Sequence, residues 1–201
     1  MIIILAAVAN LLVKEYRRRL YGDVAARPPC ARPQPAGLDV TGGPYTHGAV
    51  AADALECSAI GRDILKKGGS AVDSAIATLA CVELIHGHSV GLGGGLIMTV
   101  YNKETGTAQV INARETAPSG ASTDMYGTNT STAQFGGLAV AVPGQVLGYW
   151  EAHQRYGKLP WRDLFQPAIR MAEEGFCIGR PLENAINKNL KFINDPKNHL
   201  W

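Results

Sequence analysis

Between residue 46 and the C-terminus the apolar and polar positions change rhythm several times, and each rhythm predicts an element. From Ala49 to Lys67 the residues Val50, Ala54, Cys57, Ile60 or Ile64 and Leu65 recur at helical spacing. Lys66 and Lys67 occupy the last turn, where cations favour the helix dipole, and Gly68-Gly69 supplies a stop. "SAVDSAIATLACVELIHG" follows. Ser70 and Asp73 have the spacing of a capping box, and the helix behind them is apolar on nearly every face, which predicts burial on most sides. Together the segments predict a helix hairpin turning at Gly68-Gly69.

The rhythm then shortens. "LIMTVY" and "AQVINA", joined by the polar "NKETGT", predict a β-hairpin with Gly106 in its turn. The preceding "VGLGGG" leads into a strand, and no Lys-Ser/Thr follows it. It therefore predicts close backbone packing and not a phosphate cradle, which sets aside a nucleotide-binding α/β domain. Residues 119 to 136 are polar and Ser/Thr-rich, a surface loop. "GGLAVAVPG" predicts another buried strand, ending at Pro143-Gly144. "QVLGYWEAHQRYG" predicts a helix stopping at Gly157. "LPWRDLFQPAIRMAEEG" predicts one from Pro160 to Gly175, kinked or restarted at Pro167. The tail to Trp201 reads as polar, without a stop signal.

The N-terminus follows different rules. "MIIILAAVANLLV" is apolar but shorter than the roughly 20 residues of a spanning helix. Its positive charges follow the run. Residues 1–22 read either as a signal-peptide core or truncated membrane anchor, or as the bland start of a fragmentary gene product. Residues 23–45 are too rich in Pro and Gly for a helix or central strand and read as a linker, leaving 46–201 as the folded part.

Composition changes this picture little. Among 201 residues, 46% hydrophobic and 18% charged describe an ordinary globular chain. A net charge of +2 directs it toward neither nucleic acid nor an acidic surface, and no nucleic-acid partner is expected. The cysteines Cys30, Cys57, Cys81 and Cys177 lack CxxC spacing, and His86 and His88 point to different helix faces, so no metal site is expected. Cys57 and Cys81 are equally distant from Gly69. They can meet across the hairpin as a disulfide, which would imply an oxidising compartment, or sit there as two small hydrophobes. Asn129 opens an "NTS" sequon, usable only on the secretory route. In "QVINARETAP", Arg114 and Glu115 stand where a strand ends. Such charges are either solvated punctuation or aimed at a ligand, and the residues alone leave both open.

Several stretches agree with one family. "AADALECSAIGRDILKKGGSAVDSAIATLACVEL", "HSVGLGGG", "INARETAP", "GGLAVAVPGQVLGYWEAHQRYGKLPW" and "LFQPAIRMAEEGF" occur in order over roughly residues 46 to 180. They resemble the large subunit of gamma-glutamyltransferases, animal members most, since the Cys57/Cys81 pair and the Asn129 sequon match features of those enzymes. The resemblance implies an α+β N-terminal-nucleophile hydrolase fold, an αββα sandwich to which this chain contributes a part. It implies a precursor that cuts itself into two subunits, freeing a threonine that acts as nucleophile with its own α-amine as base. The gamma-glutamyl group of glutathione, or of another gamma-glutamyl compound, then passes to water or to an acceptor amino acid or dipeptide. The implied partners are a small subunit and, through an N-terminal anchor, the extracellular face of the plasma membrane. No cofactor is implied.

The resemblance assigns Arg114 to the substrate's glutamyl α-carboxylate. A guanidinium matches a carboxylate bidentately, as lysine does not. Glu115 would orient the arginine or balance charge. No threonine here occupies the nucleophile's motif, so the resemblance implies an enzyme fragment without a catalytic residue, inactive alone, with exposed strand edges and apolar surface. The alternative is a non-catalytic, large-subunit-like product that binds a partner or the intact enzyme. Two features depart from the family pattern. Cys177 in "GFCIG" stands as a candidate free thiol, and the N-terminus lacks the usual short cytoplasmic tail and full-length signal anchor.

Overall fold

The computed structural model describes residues 44–195. The N-terminal apolar run and most of the expected linker lie outside them. The elements are α1 (Leu55–Lys66), α2 (Ala71–Ile85), β1 (Leu96–Asn102), β2 (Thr107–Ala113), α3 (Gln145–Tyr156), α4 (Trp161–Glu174) and α5 (Arg180–Ile193). Short 3-10 turns at Thr130–Ala133 and Gly137–Ala139 interrupt the loop before α3.

The helix hairpin forms, with a shorter first helix than the apolar spacing predicts. Ala54 is extended, and the Ala52 N–H donates to Ser58 Oγ at 3.0 Å, so the chain before Leu55 is held outside the helix. At the other end Gly68 takes φ +87°, a conformation glycine adopts at no steric cost. Its N–H donates to Leu65 O at 2.9 Å and that of Gly69 to Ile64 O at 3.0 Å, the paired bonds of a Schellman stop. The capping box is complete: the Asp73 N–H donates to Ser70 Oγ at 3.0 Å, and the Ser70 N–H to Asp73 Oδ2 at 2.9 Å. Asp73 Oδ2 also accepts from the N–H groups of Lys158 and Leu159, at 2.9 and 3.1 Å, tying α2 to the α3–α4 turn. Cys57 and Cys81 are joined in a disulfide across α1 and α2, with Cα atoms 5.4 Å apart.

β1 and β2 pair antiparallel, with Leu96 opposite Ala113, Met98 opposite Ile111 and Val100 opposite Gln109. Opposed residues share a face, and this face turns inward. Leu96, Met98 and Val100 pack with buried Ile111 against Tyr149 and Ala152 of α3, Ile64, Val72, Ile76 and Ala77 of the helix hairpin, and Leu164 of α4. The other face carries Ile97 and Val110, 63% and 61% exposed, and Tyr101. The hairpin is thus apolar on both sides and covered on one.

"GGLAVAVPG" is not a buried strand: it makes the 3-10 turn and then one isolated bridge, Val142 to Thr116. Its small residues Ala139 and Ala141 face partly inward while Leu138, Val140 and Val142 are exposed, and one bridge is too little pairing to make a strand. Of the two outcomes expected at Pro167, a restart is not seen, since α4 runs continuously through it. In the tail, Pro181 opens α5, whose Leu182, Ile186 and Leu190 repeat every fourth residue although none is buried. Cys177, expected as a candidate free thiol, is disulfide-bonded. Among the described residues no helix is long and apolar enough to cross a membrane.

Candidate functional site

β2 ends at Ala113, and the next two residues form the pair that the sequence singles out. Asn112 Oδ1 accepts the Arg114 N–H at 3.2 Å, turning the chain off the sheet. Arg114 Nη1 then lies 3.3 Å from Glu115 Oε2, with the arginine side chain 61% exposed and the glutamate 25%. A pair this open contributes about 0–1 kcal/mol to folding. Its geometry is of more interest than its stability, because the guanidinium stays largely open to solvent while Glu115 lies against Nη1.

The glycine-rich loop presses on this pair. A Cβ on Gly95 would lie 2.6 Å from both Glu115 Oε2 and Ala113 O, and 2.9 Å from Arg114 Cα. Only a glycine leaves that space, so the loop is a close-packing device. Gly94 O in turn accepts the N–H groups of Gly144 and Gln145, both at 3.0 Å, at the start of α3. These are orphan donors of a helix end that lacks a side-chain cap, and the loop carbonyl satisfies them.

Beneath that helix end is a polar cluster that the sequence reading missed. Glu83 of α2 accepts at Oε1 from Tyr149 Oη, 2.7 Å away, and from Gln145 Nε2. Gln145 Nε2 also donates to Tyr149 Oη at 2.8 Å. Tyr149 is fully buried and Gln145 nearly so. Burial raises the Glu83 carboxyl above its ordinary range, and the two hydrogen bonds offset that only in part. Burial, followed by the bond to Glu83 and its charge, also raises the Tyr149 phenol above its usual value. The available signal was a single acid interrupting the apolar run "LACVELI".

The remaining candidates are placed elsewhere. Asn129 is exposed and caps the 3-10 turn, its Oδ1 accepting from Ser131 N–H at 3.2 Å and Ser131 Oγ at 2.7 Å. His86 and His88 pack edge to face, ring centroids 5.6 Å apart. Among the described residues no group of three or more His, Cys, Asp or Glu is arranged to hold a metal. The buried hydroxyls of Ser58, Ser74 and Thr78 each donate to a main-chain carbonyl and so serve packing. What the site offers chemically is a guanidinium at Arg114 that is largely open to solvent.

A sequence model of the gamma-glutamyltranspeptidase family matches residues 57–200. The chain belongs to that family. It is 46% identical over 151 residues to Scoloptoxin SSD14 of Scolopendra dehaani, covering 75% of this chain and 26% of that protein. It is 47% identical over 145 residues to the glutathione hydrolase 5 proenzyme of Rattus norvegicus, covering 71% and 25%. A gamma-glutamyltranspeptidase from Pseudomonas nitroreducens, solved in complex with L-DON, superposes with a TM-score of 0.68 at 35% identity, covering 77% of this chain and 47% of that one. The chain spans about a quarter of the length of the curated relatives it matches. Its helices and hairpin are accordingly a part of the N-terminal-nucleophile hydrolase fold.

Proposed function

We propose that residues 46–201 are a partial large-subunit domain of a gamma-glutamyltransferase that hydrolyses glutathione or passes its glutamyl group to an amino acid or dipeptide. The observation that carries this reading is the Arg114 guanidinium, exposed at a strand end, braced by Glu115 and backed by Gly95. In this role Arg114 receives the glutamyl α-carboxylate through two parallel N–H···O bonds, and Glu115 keeps the guanidinium oriented between turnovers. In this reading the nucleophilic threonine and its α-amine base belong to the small subunit, outside residues 46–201. Relatives named as glutathione hydrolases support the substrate class. The same reading places the protein on the secretory route, with Asn129 glycosylated and residues 1–22 serving as signal or anchor on the extracellular face of the plasma membrane.

The test is steady-state kinetics of Arg114→Ala and Arg114→Lys in the complete enzyme. A lost charged hydrogen-bond pair of about 1.5–3 kcal/mol corresponds to a rise in the KM for glutathione of roughly 10- to 150-fold. The lysine variant should recover only part of it, since its point charge does not reproduce the fork. An unchanged KM in both variants rejects the carboxylate grip.

A further inference from the structure

The Glu83 cluster lies away from Arg114 in sequence but is connected to it through the helix end. Glu83 Oε1 holds Gln145 and Tyr149, one turn apart on α3, against α2. The first amides of α3 grip Gly94 O, and Gly95 packs on Glu115 and on the Arg114 backbone. On its other side the same helix end abuts the strand end: a Cβ on Gly144 would lie 3.0 Å from Arg114 O. The helix terminus is therefore a wedge between the loop and the arginine, and the half-buried Glu83 carboxyl fixes the wedge.

We infer that Glu83, through Gln145 and Tyr149, is a positioning residue for the Arg114–Glu115 pair, holding the α3 terminus that sets where the guanidinium emerges. The inference rests on the carboxylate-grip reading of Arg114. Without an acceptor at Glu83, the buried Tyr149 hydroxyl and Gln145 amide lose their shared partner, and the cheapest relief is rotation of the first turn of α3. That motion releases Gly94 and shifts Arg114 without touching the reacting atoms. Binding should suffer while chemistry does not.

Two measurements test this in the complete enzyme. Glu83→Met keeps the length of the side chain and removes the acceptor, and should raise the KM for glutathione about tenfold, the effect of one lost charged hydrogen bond. Its kcat should change by less than about twofold, since uniform binding alone is removed. Glu83→Gln retains an oxygen acceptor and should restore KM, whereas a residue that matters only for stability would leave KM alone in both variants. Amide hydrogen exchange supplies a readout independent of turnover. The N–H groups of Gly144 and Gln145 should exchange at least about tenfold faster in Glu83→Met than in Glu83→Gln, while Ser74 of α2 stays protected, as expected of local opening. Should Glu83→Met fail to fold, Tyr149→Phe, which removes one of the two donors to Glu83, should show the same pattern at reduced size. Equal exchange and equal KM across the variants overturn the inference, as does acceleration of all amides together. If Arg114→Ala leaves KM unchanged, the carboxylate grip fails instead, and exchange at Gly144 and Gln145 still decides whether Glu83 fixes the helix end.

Discussion

Glu83 is where burial and charge conflict most openly, and the conflict has a sign. Burial raises its carboxyl above the ordinary value, and the bonds from Tyr149 and Gln145 offset this only partly. The folded protein therefore holds this proton more tightly than the unfolded chain does. By linkage, the stability due to this group is fully present below the ordinary carboxylate value of about 4.3 and is lost as pH rises through the raised folded value. Glu83→Gln has no proton to release yet still accepts from both donors. In urea titrations across that window, the unsubstituted protein should lose stability with rising pH relative to the variant, and the variant's advantage should level off above it. Identical pH slopes for the two proteins would show that Glu83 keeps an ordinary titration.

Elements differ in how legible they were, and the difference follows the range of the interactions that make them. The α1–α2 hairpin was readable because its stop and its cap are local: Gly68-Gly69 ends one helix, and Ser70 with Asp73 starts the next within three residues. The β-hairpin was readable for the same reason. The start of α1 was overshot because a side chain six residues away, Ser58, takes the Ala52 amide. The Glu83 cluster was not readable, since its bonds join residues separated by 62 and 66 positions. The strand end that delivers Arg114 could be read from the residues, but its target came only from the family resemblance. The Cys57–Cys81 bridge belongs to this scale too. It closes a separation of 24 residues between helices already in contact, so it acts chiefly on the unfolded chain. Replacing both cysteines with serine should lower the unfolding free energy by about 3 kcal/mol, with part of that from burying two hydroxyls. A loss under about 1 kcal/mol in denaturant melts would mean that helix packing alone fixes the hairpin.

At the scale of the molecule, the distribution of apolar surface carries the argument. The inner face of the β-hairpin closes the core with α3 and the helix hairpin, while the outer face presents Ile97, Tyr101 and Val110 to solvent. Val140, Val142 and Leu147 are exposed as well, and α5 buries no residue at all. An antiparallel sheet with one wet face alternates apolar and polar positions, and β1 and β2 do not: their sequence is suited to cover on both sides. A two-stranded hairpin is also marginal without such cover. The isolated 201-residue chain should therefore self-associate, running well above its monomer mass of 21.4 kDa in sedimentation velocity and binding an apolar dye. Ile97→Thr with Val110→Thr keeps β-branched residues in both strands while making the outer face more polar, and should shift the chain toward monomer without disturbing the inner face. A soluble monomer that melts cooperatively with Ile97 and Val110 in place would mean that this face is stable in water and calls for no further layer.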